Sequence, residues 1–427
     1  MNFNGLSLDQ APPIQAPLRF FLTAPLFGIL AGFLLFFSDT SALMSRYSVE
    51  SIALTHTITI GFFSFVMLGA LTQMLPVLAG VKMKYVQTTS NLSHVALVIG
   101  LSLMVFGLLK VSSFALHVAS ALLFFGFLGM GVMIALAIKD VSNFTATVKN
   151  MALSLAFMFF ILLMGVFMLE GYASSNISAL HVVVANIHSV WAVFGFAGLL
   201  IIGVSFQILP MFYVAPRFKR FCKKRVAWLI VTGLFLWGVL NILQISYDVV
   251  AKVWIALFFW AFATTVWKKL NERKRAVSDI TVWYWRSASV FLTIGSFFWV
   301  FDDYFEHRYT ILVALFVGGG FIFSIIMGML YKIIPFLVWF HLNAKGYMSI
   351  PTMNEMIDKK LSKLQFGLFM LSLVGFVVSF FMPSLLEFFA VLFILSMVVL
   401  ELNIVAPVKL YLKTIKTKPD FDMSAFS

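Results

Sequence analysis

One stretch recurs three times along this chain. It reads GFFSFVMLGALTQMLP from Gly61, GFAGLLIIGVSFQILP from Gly195 and GFIFSIIMGMLYKIIP from Gly320. Without a gap, the copies share Gly-Phe at the start, Gly at the ninth place, Gln or Lys at the thirteenth and Pro at the sixteenth. A single such match in an apolar chain is at chance level. Three matches, roughly 130 residues apart, mark three homologous units. Each copy lies in an apolar helix long enough to cross a hydrocarbon core about 30 Å thick. Its two glycines fall near one helix face, where they admit a close neighbour. The polar residue (Gln73, Gln207 or Lys332) sits one turn before the proline, where an intramembrane polar group points into the bundle or a cavity. A purely structural role, packing for Gly and Gln and a kink for Pro, accounts for the motif equally well.

The rest of the composition agrees with a membrane solvent. The chain is 62% hydrophobic and 11% charged, with a mean hydropathy of +1.01; soluble domains carry about 25% charged residues. Spans are expected at 19–38, 51–79, 92–110, 114–138, 150–169, 180–213, 226–246, 250–267, 284–301, 309–340, 365–382 and 386–407. These twelve group into units 19–138, 150–267 and 284–407, four helices each, with the motif helix second in every unit. The 50 Phe and 10 Trp suit lipid-facing surfaces and interfacial belts. A single cysteine, Cys222, excludes a disulfide framework within the chain and any CxxC motif. The N-terminal MNFNGLSLDQAPPIQAP lacks the regions of a signal peptide, so the first span is expected to direct insertion.

The net charge of +13 could suggest nucleic acid, but the placement of the charges argues for a membrane. Among the 30 Lys and Arg, only Arg46, Lys110, Lys252 and Arg308 fall in the loops after spans 1, 3, 5, 7 and 9 or at the span ends bordering them. Apart from Lys332, the rest flank the other ends, which places both termini in the cytoplasm. RFKRFCKKR (217–225) and the basic part of 268–286 then read as cytoplasmic anchors near anionic lipid, not as a nucleic-acid site. Residues 350–364 are expected to form an interfacial cytoplasmic helix: Thr352 and Glu355 make a capping box, and Met353, Met356, Ile357, Leu361 and Leu364 form a stripe.

Of the seven histidines, His94, His117, His307 and His341 lie at span ends or in loops, as ordinary interfacial residues do. His56 and His188 precede the motif's first Gly by five and seven residues, so two units each place an imidazole at similar depth. Such an imidazole is a haem or metal ligand, or a neutral histidine satisfied within the bundle. His181 shares a helix face with His188 and is a candidate for the same metal site. Lys332 and Glu401, both toward the cytoplasmic ends of their spans, are expected to pair and spare each other isolation in lipid.

Twelve spans in three four-helix units, with cytoplasmic termini and a histidine in the outer half of span 2, resemble subunit I of the haem-copper oxidases. The chain is more similar to their non-oxidase relatives, including the NnrS-type haem- and copper-containing membrane proteins. The matching stretches are PLRFFLTAPLFGILAG (17–32), LTHTITIGFFSFVMLGALTQMLPVLAG (54–80), IHSVWAVFGFAGLLIIGVSFQILPMF (187–212) and GMLYKIIPFLVWFH (328–341). The resemblance implies a bacterial inner-membrane protein, with His56 matching the span 2 haem ligand and His188 the span 6 copper ligand. It departs from an oxidase elsewhere. Residues 226–244 and 309–340 contain no histidine, Ala192 stands where oxidases carry their cross-linked tyrosine, and the relatives' His-x-His is here His188-Ser189-Val190.

The expectation is therefore an oxidase-like protein that is no terminal oxidase. It would bind or handle haem or a metal ion through His56 and His188, in respiratory or nitrosative-stress physiology. Both histidines can ligate one haem only if spans 2 and 6 face one cavity, and in subunit I the corresponding helices do not present both histidines to one haem. A transporter using Gln73, Gln207 or Lys332, and a ligand-free structural subunit, are the rival readings.

Overall fold

Long apolar runs with no sustained polar stripe form helices whose whole circumference faces lipid or other helices. The computed structural model describes residues 12–245, 247–274 and 279–421, and among these every regular element is helical. Residues 1–11 of the N-terminal stretch and 275–278 of the basic loop, read above as leaderless and as part of an anchor, lie outside the described residues. The long helices are α1 (Gln15–Phe37), α2 (Val49–Ala79), α3 (Val86–Leu109), α4 (Ser113–Lys139), α5 (Ala146–Ala173) and α6 (Leu180–Tyr213). They continue with α7 (Cys222–Ile242), α8 (Asp248–Asn271), α9 (Ile280–Val300), α10 (Thr310–Ala344), α11 (Lys359–Phe381) and α12 (Pro383–Thr414). Eleven are long and apolar enough to cross a membrane. The exception is α9, whose early turns hold Trp283, Tyr284, Trp285 and Arg286.

The three motif helices are the inner ones. In their most apolar stretch, α2, α6 and α10 are 83%, 78% and 61% buried, against 33–44% for the other spans. Each packs through its two motif glycines on the long helix before it. A Cβ on Gly61 would stand 2.5 Å from Phe27, one on Gly195 2.5 Å from Phe157, and one on Gly320 2.4 Å from Phe291. The second glycines, Gly69, Gly203 and Gly328, meet Phe20, Asn150 and Tyr284, each seven residues before those phenylalanines. No side chain larger than hydrogen fits there without displacing the neighbour. Around this centre α4 packs on α5, α8 on α9 and α12 on α1, so the chain closes on itself.

All three motif helices widen into a π-helical segment at the first glycine: Thr59–Ser64, Trp191–Gly198 and Ala314–Phe323. Each segment ends three residues past that glycine. Such bulges shift the register of side chains along one helix and are frequent at functional sites.

Two local expectations change. No helix spans 350–364, because α11 starts at Lys359. Asp358 is held extended as its N-cap, accepting from the N–H groups of Lys360 and Leu361 at 2.7 and 3.1 Å. Asn403 on α12 fixes the Asp358 backbone through two 3.0 Å hydrogen bonds, which a helix running through 358 would break. What remains upstream is one turn in which the Glu355 carboxylate accepts from the Thr352 N–H at 2.8 Å, and Met356 is buried. The second change concerns Lys332, which pairs with Asp279 at 2.6 Å and not with Glu401. Asp279 caps the neighbouring α9, whereas Glu401 has a buried Oε2 without a partner among the described residues.

Candidate functional site: a cavity with two histidines

A cavity of about 820 Å³ lies between the first halves of α2, α6 and α10. Its walls run from the loop residues Thr40, Tyr47, Asp303 and His307 down to Phe63 and Phe323 at the π-helical segments. There Phe323 packs tilted on Phe62 and edge-on against Phe63, with ring centres 4.3 and 5.2 Å apart.

His56 and His188 both line this cavity, each just before the π segment of its helix. Their ring centres are 6.2 Å apart and their planes 34° from parallel. His56 Nδ1 lies 2.8 Å from the Ile52 carbonyl of its own helix, and His188 Nδ1 lies 3.0 Å from the Ile161 carbonyl on α5. A carbonyl only accepts, so each Nδ1 donates and each Nε2 is left with its lone pair. Neither Nε2 has a hydrogen-bond partner among the described residues. Gly165 on α5 makes room for the His188 ring, because a Cβ there would come within 3.3 Å of Cε1.

The third motif helix contributes no imidazole. At the positions five and seven residues before Gly320 it carries Leu315 and Val313, and both line the cavity. It contributes space instead: a Cβ on Gly318 would meet nothing within 4 Å.

Charge at the wall is mostly paired internally. Lys252, buried, bonds Asp303 and lies 3.3 Å from Asp248. Asp302 receives Thr310 Oγ1 and His307 Nδ1, both at 3.0 Å. Among the described residues Arg46 hydrogen-bonds only neutral groups, Asn186 Oδ1 at 3.1 Å and Ser189 Oγ at 3.4 Å.

The remaining sequence-derived residues scatter. His181 lines the cavity, but its ring packs on Phe167, its Nδ1 accepts the Ser178 N–H at 3.0 Å, and its Nε2 fills the space a Cβ on Gly171 would need. Among the described residues, no group of three or more His, Cys, Asp or Glu could hold a metal, so His181 does not complete a three-ligand set with the pair. Gln73 is buried with both amide atoms unpartnered among the described residues, while Gln207 is exposed. Lys332 bonds Asp279 and, at 3.3 Å, Asn354. None of Gln73, Gln207, Lys332 and Glu401 borders the cavity. Burial works against the charge on Asp279, but the Lys332 ammonium and the hydrogen bonds from Lys332 and Thr281 outweigh it and hold the carboxyl below its usual value.

Sequence reasoning passed over Arg46, Gly165 and Gly318 as site residues. A signal existed for Arg46, one of only four cations assigned to the loops after spans 1, 3, 5, 7 and 9. No family model and no curated protein sequence matches the chain.

Proposed function

We propose that this multi-pass membrane protein binds haem or a metal ion between His56 and His188. We place it in the bacterial inner membrane with both termini cytoplasmic, as the loop charges favour. We also propose an architecture of three four-helix units in the manner of oxidase subunit I. The parallel glycine contacts and π segments of α2, α6 and α10 support this repeat.

The observation that carries the ligand reading is the pair of imidazoles facing one cavity with Nδ1 anchored on both. Metal-ligating histidines are oriented in this way, donating one ring N–H to a carbonyl and presenting the other nitrogen. With metal–nitrogen bonds of about 2.0–2.1 Å, two imidazoles on opposite sides of one ion set their ring centres about 6 Å apart. The observed 6.2 Å fits. The cavity volume falls within the ~300–1,000 Å³ of sites for cofactor-sized organic molecules. The open space at Gly318 is where the flank of such a molecule would lie. His56 and His188 would hold a haem through imidazole nitrogens alone, and the chemistry it would then supply is electron transfer, or its handling as cargo, over oxygen activation.

The test is an absorption spectrum of detergent-purified protein, oxidised and dithionite-reduced, with metal analysis on the same sample. A Soret band that shifts or weakens in both His56→Ala and His188→Ala supports the reading. A colourless protein without stoichiometric iron, copper or zinc, from cells supplied with haem and metals, overturns it. The transporter reading gains nothing from the geometry, since Gln73, Gln207 and Lys332 stand away from the cavity.

A further inference from the structure

The cavity's walls carry two fixed cations, and among the described residues only Lys252 meets a carboxylate. Lys252 stands between Asp248 and Asp303, and Asp302 faces His307 and Thr310. Arg46 is half-buried and makes no ion pair among the described residues; its guanidinium touches Asn186 Oδ1 and Ser189 Oγ and lies 5.1 Å from the Tyr47 ring centre. A guanidinium carries five N–H donors. The two neutral acceptors engage one each from Nη1 and Nη2 and leave the rest of the fork free. A cation away from bulk water is costly until an anion or water meets it, and a carboxylate matches the fork in two parallel bonds.

The location matters as much as the charge. Asn186 and Ser189 bracket His188 on one turn of α6, so they fix Arg46 beside the imidazole. A group bound at Arg46 and a centre bound at His188 therefore belong within the reach of one molecule. The rest of the cavity near them is apolar, lined by residues such as Ile52, Ile161, Val313 and Leu315.

We infer that Arg46 is a carboxylate-binding residue of this cavity, and that the molecule held at His56 and His188 is an amphipathic acid whose ionised carboxylate pairs with it. This rests on the two-histidine reading and adds the charge and polarity of the ligand. A tetrapyrrole carrying free acid side chains has the required combination of an imidazole-binding centre, an apolar body and carboxylates. Asn186 and Ser189 serve as positioning residues that aim the guanidinium.

The experiment titrates the purified full-length protein in detergent with ferric protoporphyrin and, separately, with its dimethyl ester, following the Soret band. The wild type is expected to prefer the free acid by roughly tenfold to a hundredfold, the worth of a charge-assisted hydrogen-bonded pair. Arg46→Gln should bind both forms with equal affinity while the band position, set by the imidazoles, stays where it was. Arg46→Lys should keep part of the preference, since it retains charge without the fork. Equal binding of acid and ester by the wild type overturns the proposal without any variant, and so does a preference that survives Arg46→Gln. Binding of neither form removes the haem half of the two-histidine reading, and this inference with it. Oleate supplies the same carboxylate without an imidazole-binding centre. If it displaces bound ester from the wild type but not from Arg46→Gln, the carboxylate at Arg46 is a lipid's, and the assignment to the histidine-bound molecule falls.

Discussion

The Lys332–Asp279 pair is the sharpest test of how the motif's polar position works. Their side chains are 14% and 24% exposed and the contact is 2.6 Å, so this is a largely desolvated ion pair. Removing one member of a fully buried pair costs about 3–5 kcal/mol, because the other charge is stranded. Partial exposure brings Lys332→Gln toward about 2–3 kcal/mol by the same reasoning. The other two motif helices carry Gln73 and Gln207, and the residues standing where Asp279 does, five before Phe20 and Asn150, are Gln15 and Thr145. Asp279→Thr therefore installs the capping residue of α5, where Thr145 accepts the Val148 N–H, and retains most of the cap on α9. Alone it strands Lys332 and is expected to cost about 2–3 kcal/mol. Together, Lys332→Gln and Asp279→Thr should cost only about 1–2 kcal/mol, leaving an interaction of at least ~2 kcal/mol in the cycle. Tryptophan fluorescence during thermal unfolding in detergent reads it. Additivity within ~0.5 kcal/mol would refute the reasoning. Acid gives a second check. The folded pKa of Asp279 is depressed, so its contribution is complete above the unfolded carboxylate value of about 3.9 and is lost as pH falls through the folded value. The penalty of Lys332→Gln should accordingly shrink in that acid window.

Other outcomes follow from named contacts. Gly195→Val drives a side chain into Phe157 and should destabilise by about 1–3 kcal/mol. Gly318→Val enters open cavity space, so thermal stability should hold while Soret-detected ligand binding weakens. Val214 ends α6 at φ 53°, where α2 ends in Gly80, so Val214→Gly should raise stability by up to ~1 kcal/mol by relieving a left-handed β-branched residue. Gly165→Leu should push the His188 ring off its Ile161 carbonyl and abolish any imidazole-bound Soret signal while helical circular dichroism persists.

Length and hydropathy made the helices readable, because a membrane span is a property of a continuous run and needs no knowledge of its neighbours. The motif glycines were readable for a related reason: a residue with no side chain, repeated on one face, marks close approach whatever approaches. Which side chains meet across helices is a different kind of information. In a helix that is apolar all round, the sequence carries little signal about rotation about its axis, and rotation alone decides whether Lys332 meets Asp279 or Glu401. The same ignorance put Gln73 and Gln207 in one class, although the first is buried and the second exposed. The 350–364 helix failed on a local competition: Asp358 and Asn403 together claim the backbone that a continuing helix would need.

The histidine pair shows what the motif's bulges contribute. His56 and His188 stand at different offsets from their glycines, five and seven residues, so two ideal helices related by the repeat would not place them alike. The π segment of α6 begins four residues before its glycine and that of α2 only two. Residues upstream of the longer segment are therefore rotated and drawn back relative to their ideal α positions. Despite the unequal spacings and unequal segments, both rings reach one cavity, 6.2 Å apart. α10, with a bulge beginning six residues before its glycine, carries no histidine, and it faces the same space with Gly318. The three motif helices thus bring two imidazoles and one open flank to the cavity, an asymmetry that suits a single planar or elongated guest better than three equivalent ones.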